Sequence, residues 1–163
     1  AFCLHLPYPK LALKGLNKII PKDLNPENKE RLTSNFEASI TYSRQIGNIY
    51  TGSLYLGLLS LLEQSQNLKT GDKIGFFSYG SGAVSEIFSG RLVEGYKDML
   101  RSDRLDIFAQ RHNLSVADYE QLFYEEAQLD DTGSTQFNTY QTGPFRLTEI
   151  SEHQRIYKGN QND

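Results

Sequence analysis

The chain opens on an alternation, with Phe2, Leu4 and Leu6 set against Cys3 and His5. This pattern predicts a half-buried β-strand that carries the sulfur and the imidazole on one face. Pro7 and Pro9 end the extended run, and Leu11, Leu16, Ile19 and Ile20 then recur at helical spacing, which predicts a helix over 10–20. The polar stretch 21–35 reads as a surface connection or short helix, after which Phe36, Ile40 and Ile46 space a second helix ending near Gly47. From Gly52, "GSLYLGLLSLLEQS" is apolar nearly all round, as suits a helix buried against a sheet. "IGFFSYGSG" is a short strand that runs into glycine-rich punctuation. "AVSEIFSGRLVEG" reads as another strand, with Val84, Phe88 and Leu92 on one face and Glu86 on the other. Ser115 and Asp118 make a capping box that starts a helix over 116–127. "DDTGSTQFNTYQTG" has turn composition and is expected to be a mobile loop. "PFRLTEISEHQRIYKG" predicts two short strands joined by a turn at 151–153, ahead of a tail, 160–163, expected to fray. Strand, long helices, strand, strand is the order of an α/β layered sheet.

Composition narrows the function classes. At 163 residues the chain suits one domain with one sizeable core. Its net charge of −3 and 17 scattered Lys and Arg residues, with no basic run, argue against a nucleic-acid partner. No apolar run approaches the ~18 residues of a membrane span, so no membrane association is expected and the chain reads as soluble. A single cysteine excludes an internal disulfide and any multi-cysteine zinc site, and it suits a reducing cytoplasm. No His, Cys, Asp and Glu set has metal-ligand spacing. The start at Ala1, directly in a strand and without an initiator methionine or signal peptide, reads as that of a fragment or processed piece.

Cys3 and His5 make a poor nucleophile and base pair. Residues i and i+2 of a strand have Cα atoms roughly 6.5–7 Å apart, whereas a thiol and its base must approach to roughly 3 Å. The informative residues lie at three separated places: His5, Asn48 in "QIGNIYTGS", and the run "SYGSG" at 78–82, which includes Gly80 and Ser81. A glycine-rich strand end lets backbone N–H groups approach a ligand and form one wall of an oxyanion hole, or it is simply a tight turn. Asn48, at the expected start of the buried helix, either points its amide into a pocket or caps that helix. His5 is open to a structural or a catalytic role. His112 and His153 read as surface residues, and Glu86 and Glu94 as a solvated strand face.

The segments "FCLHLPYPK", "YSRQIGNIYTGSLYLGLLSLLE", "GDKIGFFSYGSGAVSEIFSGRLVEGYK" and "EISEHQRIY" together resemble the C-terminal part of bacterial hydroxymethylglutaryl-CoA synthases, in the thiolase superfamily. The resemblance spans nearly the whole chain, except 102–143. It implies the C-terminal half of a layered αβαβα thiolase-like fold, a mixed sheet covered by helices with a small helical and hairpin elaboration. Members condense acetyl-CoA with acetoacetyl-CoA, both substrates, and need no cofactor. By the same resemblance His5 matches the family histidine that contacts the acetoacetyl thioester, with Tyr8 where the family has phenylalanine. Asn48 matches the asparagine that helps bind the acyl oxygen. Ser81, beside Gly80, matches the serine whose backbone amide lies at the acyl-cysteine carbonyl, and Lys10 falls where a lysine lies near CoA. The nucleophilic cysteine and catalytic glutamate belong to the N-terminal half, so Cys3 is expected to be structural and this chain inactive alone. The implied partners are that N-terminal half, CoA thioesters and, for the whole enzyme, a second copy, with the helix "SLYLGLLSLL" at or near the interface between halves. A non-catalytic CoA-binding or association module, and another thiolase-superfamily acyltransferase such as a ketoacyl synthase, are the alternative readings.

Overall fold

A computed structural model describes residues 1–80, 82–137 and 143–159 of the chain. The chain divides into two compact units, Ala1–Arg111 and His112–Asp163.

The first unit is built on a mixed sheet. β1 (Phe2–Leu4) runs parallel to β2 (Lys73–Gly80), and β2 pairs antiparallel with β3 (Val84–Arg91). A parallel pair needs a long crossover, and here α1 (Pro9–Ile19), α2 (Pro26–Ile40), α3 (Ser43–Ile46) and α4 (Gly52–Gln64) supply it. Alternation along the strands sends side chains to both faces. Cys3, Ile74 and Phe76 pack with Leu54 and Leu61 of α4. Leu4 packs with Ala12 and Leu16 of α1 and with Phe36 and Ile40 of α2, and Phe77 joins them. Helices therefore pack on both faces of the sheet at β1 and β2, which is the layered α/β architecture expected from the element order. The ring of Phe2 crowds Gly75, where a Cβ would stand 2.7 Å from two of its carbons, so the close approach of β1 favours glycine there.

Several sequence expectations need correction. β1 is not half-buried, because Cys3, Leu4, His5 and Leu6 are all buried; helices on both sides leave neither face to solvent. The polar stretch before Phe36 is largely helical. Asn25 caps α2, its side-chain oxygen accepting from Asn28 N at 2.8 Å, and Pro26 occupies the first turn, where its missing N–H is harmless. The single helix expected to run on to Gly47 is broken after Ile40. Tyr42 N, which would otherwise donate to Ala38 O, donates instead to Ser60 Oγ at 3.2 Å, and that hydroxyl donates to Ala38 O at 2.6 Å. A side chain inserted into the i to i−4 ladder separates the two turns and leaves α3 as a short piece. β3 is exposed at all eight positions, so it has no buried face in this chain. Val84, Glu86 and Phe88 also share one side of the strand, because the side-chain period is two. After β3, a 3-10 turn at Tyr96–Met99 and α5 (Arg104–Ala109) occupy a stretch with no predicted element.

In the second unit, α6 (Val116–Tyr124) begins at the expected capping box. Asp118 N donates to Ser115 Oγ at 3.1 Å, and Ser115 N donates to Asp118 Oδ2 at 3.3 Å. β4 (Thr135–Gln136), β5 (Phe145–Ser151) and β6 (Gln154–Gly159) form an antiparallel sheet in that order. The stretch read as a mobile loop is pinned through Phe137. Asp130 Oδ1 accepts from Thr132 N and Ser134 N, each at 2.9 Å, and β4 pairs with β5. The β5–β6 turn falls where predicted, with Glu152 and His153 at φ 47° and 65°, the positive values that a two-residue hairpin turn demands. The remainder of that loop, 138–142, and the tail, 160–163, lie outside the described residues.

Candidate active site

His5 stands where β1 gives way to the Pro7 to Pro9 bend. Its backbone N–H extends the sheet pairing by donating to Phe77 O at 2.8 Å. Its side chain departs from the strand alternation. Cys3 packs toward α4, whereas the His5 ring meets Tyr79 at 4.6 Å between centroids and borders a cavity with Leu4 and Phe77. The two side chains expected on one face are therefore separated, because regular strand geometry ends at Leu4. His5 is 8% exposed and its Nδ1 has no hydrogen-bond partner among the described residues. The ring as a whole, rather than that inaccessible nitrogen, is what the cavity meets.

The cavity holds about 500 Å³ and is walled by β1, β2 and α1. That size suits a small organic ligand, for which about 300–1,000 Å³ is usual. Ala12 and Leu16 face inward on α1, and the helix brings Lys14, Asn17 and Lys18 to the cavity beside Leu11. Among the described residues no carboxylate lines it. Apolar walls, one imidazole, one phenol and two ammonium groups fit a ligand with an apolar arm, a carbonyl and an anionic end. Lys14 and Lys18 were not singled out in the sequence, although the four-residue spacing of Lys10, Lys14 and Lys18 places all three along one side of a helix. Lys10 is exposed in the first turn of α1 and does not line the cavity.

Asn48 occupies the turn between α3 and α4, exposed to solvent. Its Oδ1 accepts from Tyr50 N at 2.9 Å, and Tyr50 takes a left-handed φ of 53°. It is not the cap of the buried helix: α4 begins at Gly52, its N-cap is Thr51, and that residue makes no side-chain capping bond. Ser53, in the first turn of α4, accepts from Leu6 N at 2.9 Å and so ties this helix to the chain beside His5. Gly80 ends β2 next to Tyr79, is exposed, and would accommodate a Cβ without contact, so no neighbour in this chain demands glycine there. Ser81 lies outside the described residues. The structure thus brings His5, Tyr79, Lys14 and Lys18 together, and leaves Asn48, Gly80 and Lys10 outside the cavity wall.

Cys3 is fully buried, and burial pushes its thiol up to about 12. At neutral pH the sulfur is therefore held as the thiol and not as the thiolate, the form that attacks. His112 and His153 are exposed, as expected. Among the described residues no group of His, Cys, Asp and Glu is arranged to hold a metal ion, and no helix is long and apolar enough to cross a membrane.

The sequence pattern of the family described as "Hydroxymethylglutaryl-coenzyme A synthase C terminal" matches residues 16–159. The chain is 47% identical over 131 residues to a hydroxymethylglutaryl-CoA synthase of Enterococcus faecalis, a match covering 80% of this chain and 34% of that protein. Among solved structures, an HMG-CoA synthase complexed with CoA superposes with a TM-score of 0.86 at 65% identity, over 97% of this chain and 41% of that one. The Streptococcus mutans protein smu.943c gives 0.83 at 61% identity, over 97% and 42%. The chain spans about a third to two fifths of the length of these relatives.

Proposed function

We propose, since the chain belongs to the hydroxymethylglutaryl-CoA synthase C-terminal family, that it supplies the histidine-bearing part of an acyltransferase that condenses acetyl-CoA with acetoacetyl-CoA. The products are hydroxymethylglutaryl-CoA and CoA, which assigns the enzyme to the mevalonate route. The observation that carries this reading is the largely buried His5, set against Tyr79 and lining an apolar cavity to which α1 also brings Lys14 and Lys18.

In this reading the imidazole of His5 meets the acetoacetyl carbonyl, whose oxygen becomes negative as the new carbon–carbon bond forms. A positioned donor at that oxygen stabilises the transition state more than the ground state. The Asn48 amide and the backbone N–H groups around Gly80 and Ser81 hold the acyl oxygen, while Lys10, with Lys14 and Lys18, attracts the anionic end of CoA. The acetylated cysteine and the glutamate that takes the methyl proton come from an upstream part, because the one cysteine of this chain is buried and its thiol is held protonated. No cofactor enters the reaction. The single free cysteine supports a cytoplasmic location. A second copy of the complete enzyme is the proposed dimer partner, and the exposed apolar side chains Val84 and Ile87 of β3 support an association surface.

The test is acetyl transfer followed by intact mass. The isolated chain incubated with acetyl-CoA is expected to gain no acetyl group, whereas the complete enzyme, this chain joined to an upstream part, gains one and turns over. Acetylation of Cys3, or condensation by the isolated chain, would overturn the assignment.

A further inference from the structure

The turn that carries Asn48 is closed by its own short-range bonds, whereas the contacts that fix the helix before it come from distant segments. The N-cap of α3 is Tyr42, whose buried phenol donates to Glu63 Oε2 at 2.5 Å and accepts from Gln64 Nε2 at 3.1 Å. Glu63 Oε1 in turn accepts from Arg101 N at 3.0 Å and from Arg104 Nε at 2.9 Å. The Glu63 side chain is 1% exposed, so one carboxylate closes on three donors and fastens both α3 and the start of α5 to α4. Phe108 of α5 sets its ring edge-on to Tyr42, 5.4 Å between centroids. Arg111 lies over Phe108 at 4.7 Å and donates through Nη1 to the carbonyl of Gln45 in α3. Burial pushes the Glu63 carboxyl up, but the bonds from Tyr42, Arg101 N and Arg104 outweigh it and hold the group below the usual carboxylate range. Burial, with the bond to Glu63, pushes the Tyr42 phenol up to about 12. The pair therefore stays a carboxylate and a phenol throughout the neutral range.

We infer that Glu63 and Arg111 are positioning residues for Asn48, holding α3 so that the 47–51 turn presents its amide at one fixed place. The inference rests on the reading of Asn48 as an acyl-oxygen group. Gly47, at φ 85°, is the C-cap of α3 and the first residue of the turn, so any shift of α3 is passed directly to Asn48. The Asn48 oxygen is already committed to Tyr50 N, which leaves the side-chain NH₂ as the donor toward a ligand. A group with that task must not wander, because misplacement by about 1 Å can cost on the order of 10²-fold in rate.

The test is a pair of double-mutant cycles in the complete enzyme. Arg111 is exposed at the end of its segment, so Arg111→Ala is expected to fold, and Glu63→Gln probes the buried end of the same arrangement. Each is expected to lower kcat roughly tenfold while leaving KM for acetyl-CoA within about twofold, and to change kcat by less than about twofold when Asn48 is already alanine. A purely structural role would lower kcat by the same factor in both backgrounds, and that result would overturn the inference while leaving the reading of Asn48 standing. An unchanged kcat in Arg111→Ala would overturn it as well. If Asn48→Ala alone leaves kcat unchanged, the acyl-oxygen reading falls, and the inference falls with it.

Discussion

The corner around His5 and the turn around Asn48 are tied by one hydrogen bond, Leu6 N to Ser53 Oγ, yet they are built in opposite ways. His5 is buried, with a ring nitrogen left unpaired beside a cavity. Asn48 is exposed, with its oxygen already engaged by Tyr50 N. An unpaired buried atom opposes stability by about 1–3 kcal/mol, whereas an exposed asparagine closing its own turn has no such penalty. The His5 corner is fixed by the core around it and by the ring of Tyr79. The Asn48 turn is self-sufficient as structure, and its functional geometry depends on what lies around it.

The sharpest way to break this contrast is to remove the imidazole. His5→Ala in the complete enzyme is expected to slow condensation by a factor on the order of 10² or more, the range in which a positioned proton-transfer or donor group acts. A loss below tenfold in the steady-state rate would make His5 a packing residue. Next in size is Asn48→Ala, which should raise the barrier by about 2–4 kcal/mol, as for the loss of one oxyanion donor. A kcat reduced by well under tenfold would leave Asn48 as a turn former only. The smallest expected effect comes from cutting the link between the two regions. Ser53→Ala strands the buried N–H of Leu6 and should lower unfolding stability by about 1–3 kcal/mol in a urea titration. An unchanged midpoint would mean that the two regions are held together by packing and not by this bond.

Much of the architecture was legible because local signals and tertiary packing agree. The apolar 52–64 helix, the capping box at Ser115 and the 151–153 turn each follow from a short pattern with a direct physical cause. The misreadings arose where a distant group or a neglected local signal decided the outcome. Nothing between 36 and 47 reveals that the hydroxyl of Ser60 enters the helix there. The alternation through His5 looked regular, but the strand stops at Leu4 and the imidazole turns to the face of Phe77 and Tyr79. Asn25 and Pro26 carry the start signal of α2 within a stretch whose polarity masks it. Among the site residues, His5 and Asn48 were singled out from residue chemistry and gained roles only through the family resemblance. Lys14 and Lys18 could have been found from their spacing alone, since a helix that buries Ala12 and Leu16 must direct other positions elsewhere.

The most direct measurement separates the two half-reactions in His5→Ala. Rapid-quench detection of the acetyl-enzyme, followed by addition of acetoacetyl-CoA, reads acetyl transfer and condensation in one experiment. The predicted result is acetyl-enzyme formation at close to the unmodified rate, with condensation suppressed and acetoacetyl-CoA bound more weakly. An equal loss of both steps would contradict the account, because a histidine that serves only the acetoacetyl carbonyl has no part in the transfer that precedes it.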